Sequence, residues 1–168
     1  MSTDSGRVFG RFLDSTNTVL RYASMEADRL LHPIGSEHLL LGLLRYDRGV
    51  VRAVFEILGL SYEMAQDLLA QHVGVAERNH DEASPERSFT PIAWDILEEA
   101  CYVADEMGSL HVHPEHLLLA IAAHGEVNAR EAGTAGRVLE WAQISCADVT
   151  MTTKANMGAH GTYINTPQ

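Results

Sequence analysis

Three histidines, His111, His113 and His116, form an H-x-H-x-x-H run, and imidazole nitrogens at such spacing can ligate a transition metal. No H-E-x-x-H accompanies them, and no carboxylate or thiol stands at a convincing companion position, so no metal is assigned. Two Glu-His pairs, Glu37-His38 and Glu115-His116, each open a run of leucines. A carboxylate at the start of an apolar helix can simply complement the helix dipole. It can also hold a cation next to backbone amides that favour an anion. The histidine after it more readily caps a helix or fills a core than ligates. The chain contains no G-x-S-x-G, no paired Cys/His signature and no dinucleotide-binding glycine run. No catalytic residue and no cofactor is therefore assigned. Cys101 and Cys146 lie far apart in the chain and read as buried thiols rather than as a disulfide or a zinc cluster.

Composition narrows the classes further. The 168 residues are 46% hydrophobic and 21% charged, ordinary for a globular protein with a sizeable core. With 23 acidic against 12 basic side chains the net charge is −11. Nucleic acids and anionic membranes are bound through Lys and Arg, so neither is expected as a partner. The longest apolar runs, Leu39 to Leu44 and Leu117 to Ala123, are too short to span a bilayer. Met1 to Gly10 is polar and unlike a signal peptide, which predicts a cytoplasmic protein.

The elements that would position these residues come in two copies. Glu37-His38-Leu39-Leu40-Leu41 recurs letter for letter as Glu115-His116-Leu117-Leu118-Leu119. Upstream, Phe12 matches Phe89, Val19-Leu20 matches Ile96-Leu97, Ala23 matches Ala100, and Ala27-Asp28 matches Ala104-Asp105, at an offset one residue shorter. Matches in one order with small shifts are the mark of an internal duplication. Val19, Leu20, Ala23, Ala27, Leu30 and Leu31 form a helical stripe, which Pro33 and Gly35 end. Ser36 is placed to cap the next helix, whose leucines are apolar on all sides and predict a buried centre. Val50, Val51, Val54, Phe55 and Leu58 make a third helix closed by Gly59, and Ser61 caps a fourth. In the second copy Thr90 reads as N-cap and Pro91 as the first helical residue.

These spacings predict an all-α fold: two tandem four-helix repeats in a pseudo-twofold bundle of about eight helices. The expected organisation is an N-terminal segment over 1–11, repeat 1 over 12–74, a linker over 75–88 and repeat 2 over 89–150. Residues 151–168 are expected to form a tail, loose or packed on a partner, because β-branched residues and glycines blur the last helix.

The run Ile34-Gly35-Ser36-Glu37-His38-Leu39-Leu40-Leu41-Gly42-Leu43-Leu44, the helix ending Leu58-Gly59-Leu60, and Phe89-Thr90-Pro91 resemble the Clp repeat. The likeness runs from about Phe9 to Ile144 and is nearest to the amino-terminal domain of the ClpC unfoldases. The ATPase modules of those proteins carry a G-x-x-x-x-G-K-[ST] loop that is absent here, so a free-standing N-domain is expected. The resemblance implies a non-catalytic domain that binds substrate proteins or peptides, the Clp unfoldase or its adaptors, and cyclic-peptide antibiotics. It implies phosphoarginine recognition at Ser36 and Glu37 and at Glu115, with the carboxylate on the guanidinium and the phosphate on helix-terminal amides. His113-Pro114 stands where the family has Gly-Thr, which weakens the second of these pockets. It implies a peptide or adaptor groove at Phe9, Phe89, Trp94 and Glu98, with Phe12 in the core and Trp94 where the family commonly has a basic residue. The other reading of the same residues is an interaction protein that kept the fold and lost the phosphoarginine pocket.

Overall fold

The computed structural model describes residues 2–30, 33–73, 89–127 and 133–159. Among the described residues there are nine α-helices and no β-strand. They are α1 (Ser2–Phe9), α2 (Asp14–Leu30), α3 (Ser36–Tyr46), α4 (Gly49–Leu58), α5 (Tyr62–Val73), α6 (Pro91–Glu106), α7 (Pro114–Val127), α8 (Gly133–Trp141) and α9 (Cys146–Ala159). Helices α2 to α5 are the first repeat and α6 to α9 the second. The additional helix, α1, lies where the sequence predicted only an N-terminal segment. The expected linker over 75–88 lies outside the described residues.

The two repeats are joined by exchanged loops. Phe12, before α2, makes a parallel bridge with Val112, before α7. Phe89, before α6, makes the matching bridge with Ile34, before α3. Each bridge thus links the entry to the first helix of one repeat with the entry to the second helix of the other. The amide of Val112 donates to the carbonyl of Arg11 at 2.9 Å, and that of Thr90 to Ile34 at 2.9 Å. Thr16 adds a buried side-chain bond, its hydroxyl donating to the Val112 carbonyl at 2.6 Å.

The two leucine helices, α3 and α7, form the centre, with Leu39, Leu43, Leu117 and Leu118 fully buried. Gly42 lets α3 press on α2: a β-carbon there would lie 2.6 Å from the Val19 carbonyl oxygen. The position is Ala120 in the second repeat, also buried. Local punctuation follows the sequence. Thr90 Oγ1 accepts from Ala93 N at 3.2 Å with Pro91 at the first turn, and Ser61 Oγ accepts from Met64 N at 3.1 Å. Gly59 ends α4 in the left-handed region at φ 74°, where residues other than glycine are strained. Ser36 departs from its expected role. The N-cap of α3 is Gly35, and Ser36 is the first helical residue.

Helix α9 is the larger departure, because it runs to Ala159, through residues placed in the expected tail. Its buried face is the narrow stripe Val149, Thr153 and Met157, packed against α4 and α7. Thr153 can be buried because its hydroxyl donates to the Val149 carbonyl one turn earlier, at 2.6 Å. Ser145 Oγ caps the helix, accepting from Asp148 N at 3.0 Å. Residues 160–168, the remainder of the expected tail, lie outside the described residues.

Candidate functional site

The start of α3 is built around Gly35. Its amide donates to Nδ1 of His38 at 2.9 Å, so the histidine closes the end of its own helix from below. Above, the Glu37 carboxylate folds back over the same glycine. A β-carbon at residue 35 would meet Oε2 at 2.6 Å and Oε1 at 2.8 Å. Glu37 remains 24% exposed, so its carboxylate reaches solvent beside the open helix end. There the amides of Ser36 and Glu37 have no acceptor within the helix. Anion-favouring amides and a cation-favouring carboxylate therefore stand side by side. Ser36 itself is only 2% exposed. Its Oγ faces the second repeat, where it accepts from the amide of Ala135, in the first turn of α8, at 3.1 Å.

The second repeat keeps the histidine and alters the rest. His113 N donates to Nδ1 of His116 at 3.0 Å, as Gly35 does to His38. His113, however, brings a side chain where the first repeat has glycine, and its ring meets that of His116 edge-on at 5.3 Å. Burial lowers the His113 pKa, opposed by the charge of Glu115 and reinforced by that of His111. Glu115 is only 6% exposed, and Pro114 supplies neither a hydroxyl nor an amide hydrogen. His116 is fully buried, and burial first, then His113 and Arg11, pushes its pKa down to about 4. Of the H-x-H-x-x-H run, His116 thus points its Nδ1 at backbone rather than at a shared centre with its neighbours.

The groove residues predicted from sequence do meet. Phe9 is the hub of an aromatic shelf, its ring centroid 5.9 Å from Phe89 and 5.8 Å from Trp94, with Phe89 and Trp94 6.2 Å apart. All three are half-buried. Trp94 Nε1 donates to Glu98 Oε1 at 3.0 Å, fixing the indole against α6. Phe12 packs beneath, 5.7 Å from Phe9, and is buried as expected. The Ile34–Phe89 bridge holds Phe89 in the shelf, and Arg11, between Phe9 and the first repeat, ties this segment to the far end of α6. Arg11 Nη2 pairs with Asp105 at 2.7 Å, and the guanidinium also donates to the carbonyls of Ser109 and Leu110 at 3.1 and 3.3 Å. A lone basic residue beside the matched phenylalanines was its only trace in the sequence.

An open hollow of about 560 Å³ lies elsewhere, between the end of α3 and the α4–α5 turn. Its arginines are engaged: Arg45 with the buried carboxylate of Glu26 at 3.2 Å, and Arg52 with Glu56 at 2.9 Å. Tyr62 also donates to Glu26, at 2.6 Å, so this network ties α2, α3 and α5 together and reads as scaffold.

The Clp repeat (R) N-terminal domain family matches residues 11–154. The chain belongs to the Clp N-domain family. It is 36% identical over 133 residues to the negative regulator of genetic competence ClpC/MecB of Bacillus subtilis. It is 35% identical over 135 residues to the chaperone protein ClpB of Oceanobacillus iheyensis. Each alignment takes in 79% of this chain and 15% of the relative, so the chain spans a small part of the length of the curated relatives it matches. Among solved structures it is similar to the N-terminal domain of ClpD from Arabidopsis thaliana, with a TM-score of 0.68 at 19% identity. That match covers 89% of this chain and 96% of the other. It is also similar to a ClpV N-domain in complex with a VipB peptide, with a TM-score of 0.63 at 18% identity, covering 88% and 90%. At these identities the structural matches establish the Clp N-domain fold. Among the described residues, no helix is long and apolar enough to cross a membrane.

Proposed function

We propose that this Clp N-domain is a non-catalytic module that binds protein segments and cyclic peptides on the aromatic shelf and a phosphoarginine mark at the start of α3. It would act as adaptor, modulator or decoy for a Clp unfoldase and its protease. The observation that carries the reading is the meeting of Phe9, from α1, with Phe89, Trp94 and Glu98, from the entry and first half of α6, in one surface cluster of three half-buried rings and an exposed carboxylate. Aromatic side chains offer large contact area at small entropic cost, the property of interface anchors. The ClpV N-domain in complex with a VipB peptide supports a peptide-binding role for this fold.

At α3, the ligand phosphate would meet the amides of Ser36 and Glu37, and the guanidinium would take the Glu37 carboxylate in paired bonds. Ser36 would act mainly through its backbone, with its hydroxyl holding α3 against α8. Glu115 is given the lesser part, because His113 and Pro114 change its surroundings. Those same two residues favour, for the second repeat, the reading in which fold was kept and pocket lost.

Calorimetric titration of the protein with free phosphoarginine tests the α3 pocket. Glu37→Ala is expected to weaken binding about 10- to 100-fold, from roughly 1.5–3 kcal/mol for a hydrogen bond to a charged group. Glu115→Ala is expected to change it less. No heat at millimolar ligand with wild type, or equal binding by Glu37→Ala, removes the phosphoarginine reading. A pull-down from native cytosol, with Trp94→Ala as the negative, tests the shelf.

A further inference from the structure

Helix α6 leads away from the shelf with an outward face that is almost entirely acidic. Asp95, Glu98, Tyr102, Asp105 and Glu106 are exposed and Glu99 is half-buried, and their spacing puts them on one side of the helix. No Lys or Arg occurs anywhere in Pro91–Glu106. Among the described residues, the ion pair on this face is Arg11 with Asp105. The arrangement also runs against the helix itself. Asp105 and Glu106 occupy the last turn, which carries the negative end of the dipole and which cations stabilise. The Tyr102 phenol senses the same field: its pKa is raised by a hydrogen bond to Glu106, then by the charges of Glu106 and Glu99. A helix that is amphipathic in its core packing thus presents a run of carboxylates, answered among the described residues by Arg11 at Asp105, next to an apolar anchor site.

We infer that the partner segment taken by the aromatic shelf is cationic: an apolar anchor seated on Phe9, Phe89 and Trp94, continued by Arg or Lys residues lying along α6. This rests on the shelf being the peptide-binding surface. Charge complementarity selects the occupant. The apolar part gives the contact area, while the acidic face favours basic flanks and disfavours acidic ones.

The test uses the full chain and three labelled synthetic peptides followed by fluorescence anisotropy. One carries a Leu-Phe pair flanked by arginines, the second has glutamates in place of those arginines, and the third keeps the arginines without the apolar pair. The first is expected to bind about tenfold more tightly than either of the others, because several exposed ion pairs of modest individual strength act together. Asp95→Lys with Glu99→Lys is expected to abolish the preference for arginine over glutamate flanks. Glu63→Lys with Asp67→Lys, the same charge change on α5, is expected to keep it. Equal binding of the first two peptides overturns the inference. So does equal binding of the third, or loss of the preference in the α5 variant, since either would mean bulk charge alone. Trp94→Ala separates the two levels. If it weakens both apolar peptides equally and charge preference is absent, the shelf stands and the cationic partner falls. If it binds every peptide as wild type does, the shelf reading itself falls.

Discussion

The Ser36 hydroxyl, in the first repeat, accepts a hydrogen bond at 3.1 Å from the Ala135 amide, in the second. Both residues are buried, and the bond satisfies one of the amides that the start of α8 leaves without an intrahelical acceptor. Ser36→Ala removes the acceptor and leaves that donor dry. The expected loss is about 1–3 kcal/mol of unfolding free energy, read as a lower midpoint in urea. Ser36→Thr, which keeps the oxygen, is expected to lose less. Equal midpoints for wild type and Ser36→Ala would show that the amide finds another acceptor.

Gly42→Ala tests the contact between α2 and α3. The added methyl would sit 2.6 Å from the Val19 carbonyl oxygen and 3.1 Å from the Ala23 amide nitrogen. Both are backbone atoms, so the helices must separate. Alanine's better helix propensity offers back about 1 kcal/mol at most, whereas overpacking a tight core costs roughly 1–3 kcal/mol. Net destabilisation is expected in thermal unfolding. A rise in midpoint would mean that the helix pair is looser than this geometry.

Acid sensitivity should trace to His116. Its Nδ1 already accepts from an amide, so the folded state holds the ring neutral, with a pKa of about 4 against an ordinary 6.5. The unfolded chain takes up the proton first. Stability from this group is therefore complete above pH 6.5, declines as pH falls toward 4 and is lost below it. At 1.36 kcal/mol per unit the full loss is on the order of 3 kcal/mol. Denaturant titrations between pH 7.5 and 4 should show a steeper fall for wild type than for His116→Gln. Parallel curves would assign the acid response to the carboxylates instead.

How much the sequence disclosed depended on how far each partner lay along the chain. Thr90, Pro91, Ser61 and Gly59 act within a turn of themselves, and their residue types alone located three helix ends. The duplicated Glu-His-Leu-Leu-Leu likewise located the two central helices. Ser36 and Arg11 bond across to the other repeat, so Ser36 was read as a local cap and Arg11 was not read at all. The continuation of helix α9 past residue 150 was not legible, because its buried stripe contains Thr153, whose polarity is cancelled only once the helix exists. Of the candidate site, the aromatic residues were legible through the repeat alignment and the family resemblance. Their convergence needed the Ile34–Phe89 bridge, which no local pattern encodes.

A substitution at Gly35 separates the pocket from the fold. Gly35 has φ −98° and ψ 177°, an extended conformation open to any residue, so alanine there brings no backbone strain. Its β-carbon would instead strike the Glu37 carboxylate, which lies within 2.6–2.8 Å of that point. The carboxylate is the end of a flexible, partly exposed side chain and can swing away at small cost, whereas the His38 bond to the residue 35 amide is untouched. Gly35→Ala is therefore expected to keep helix content and unfolding midpoint close to wild type. With the carboxylate displaced from the helix end, phosphoarginine should bind about tenfold more weakly, the scale of one lost charge-assisted bond. Combining Gly35→Ala with Glu37→Ala should cost little beyond Glu37→Ala alone, because both changes remove the same contact. Circular dichroism, thermal unfolding and calorimetric titration of the three variants decide it. Additive losses in the double variant, or full affinity in Gly35→Ala, would place the guanidinium somewhere other than on Glu37.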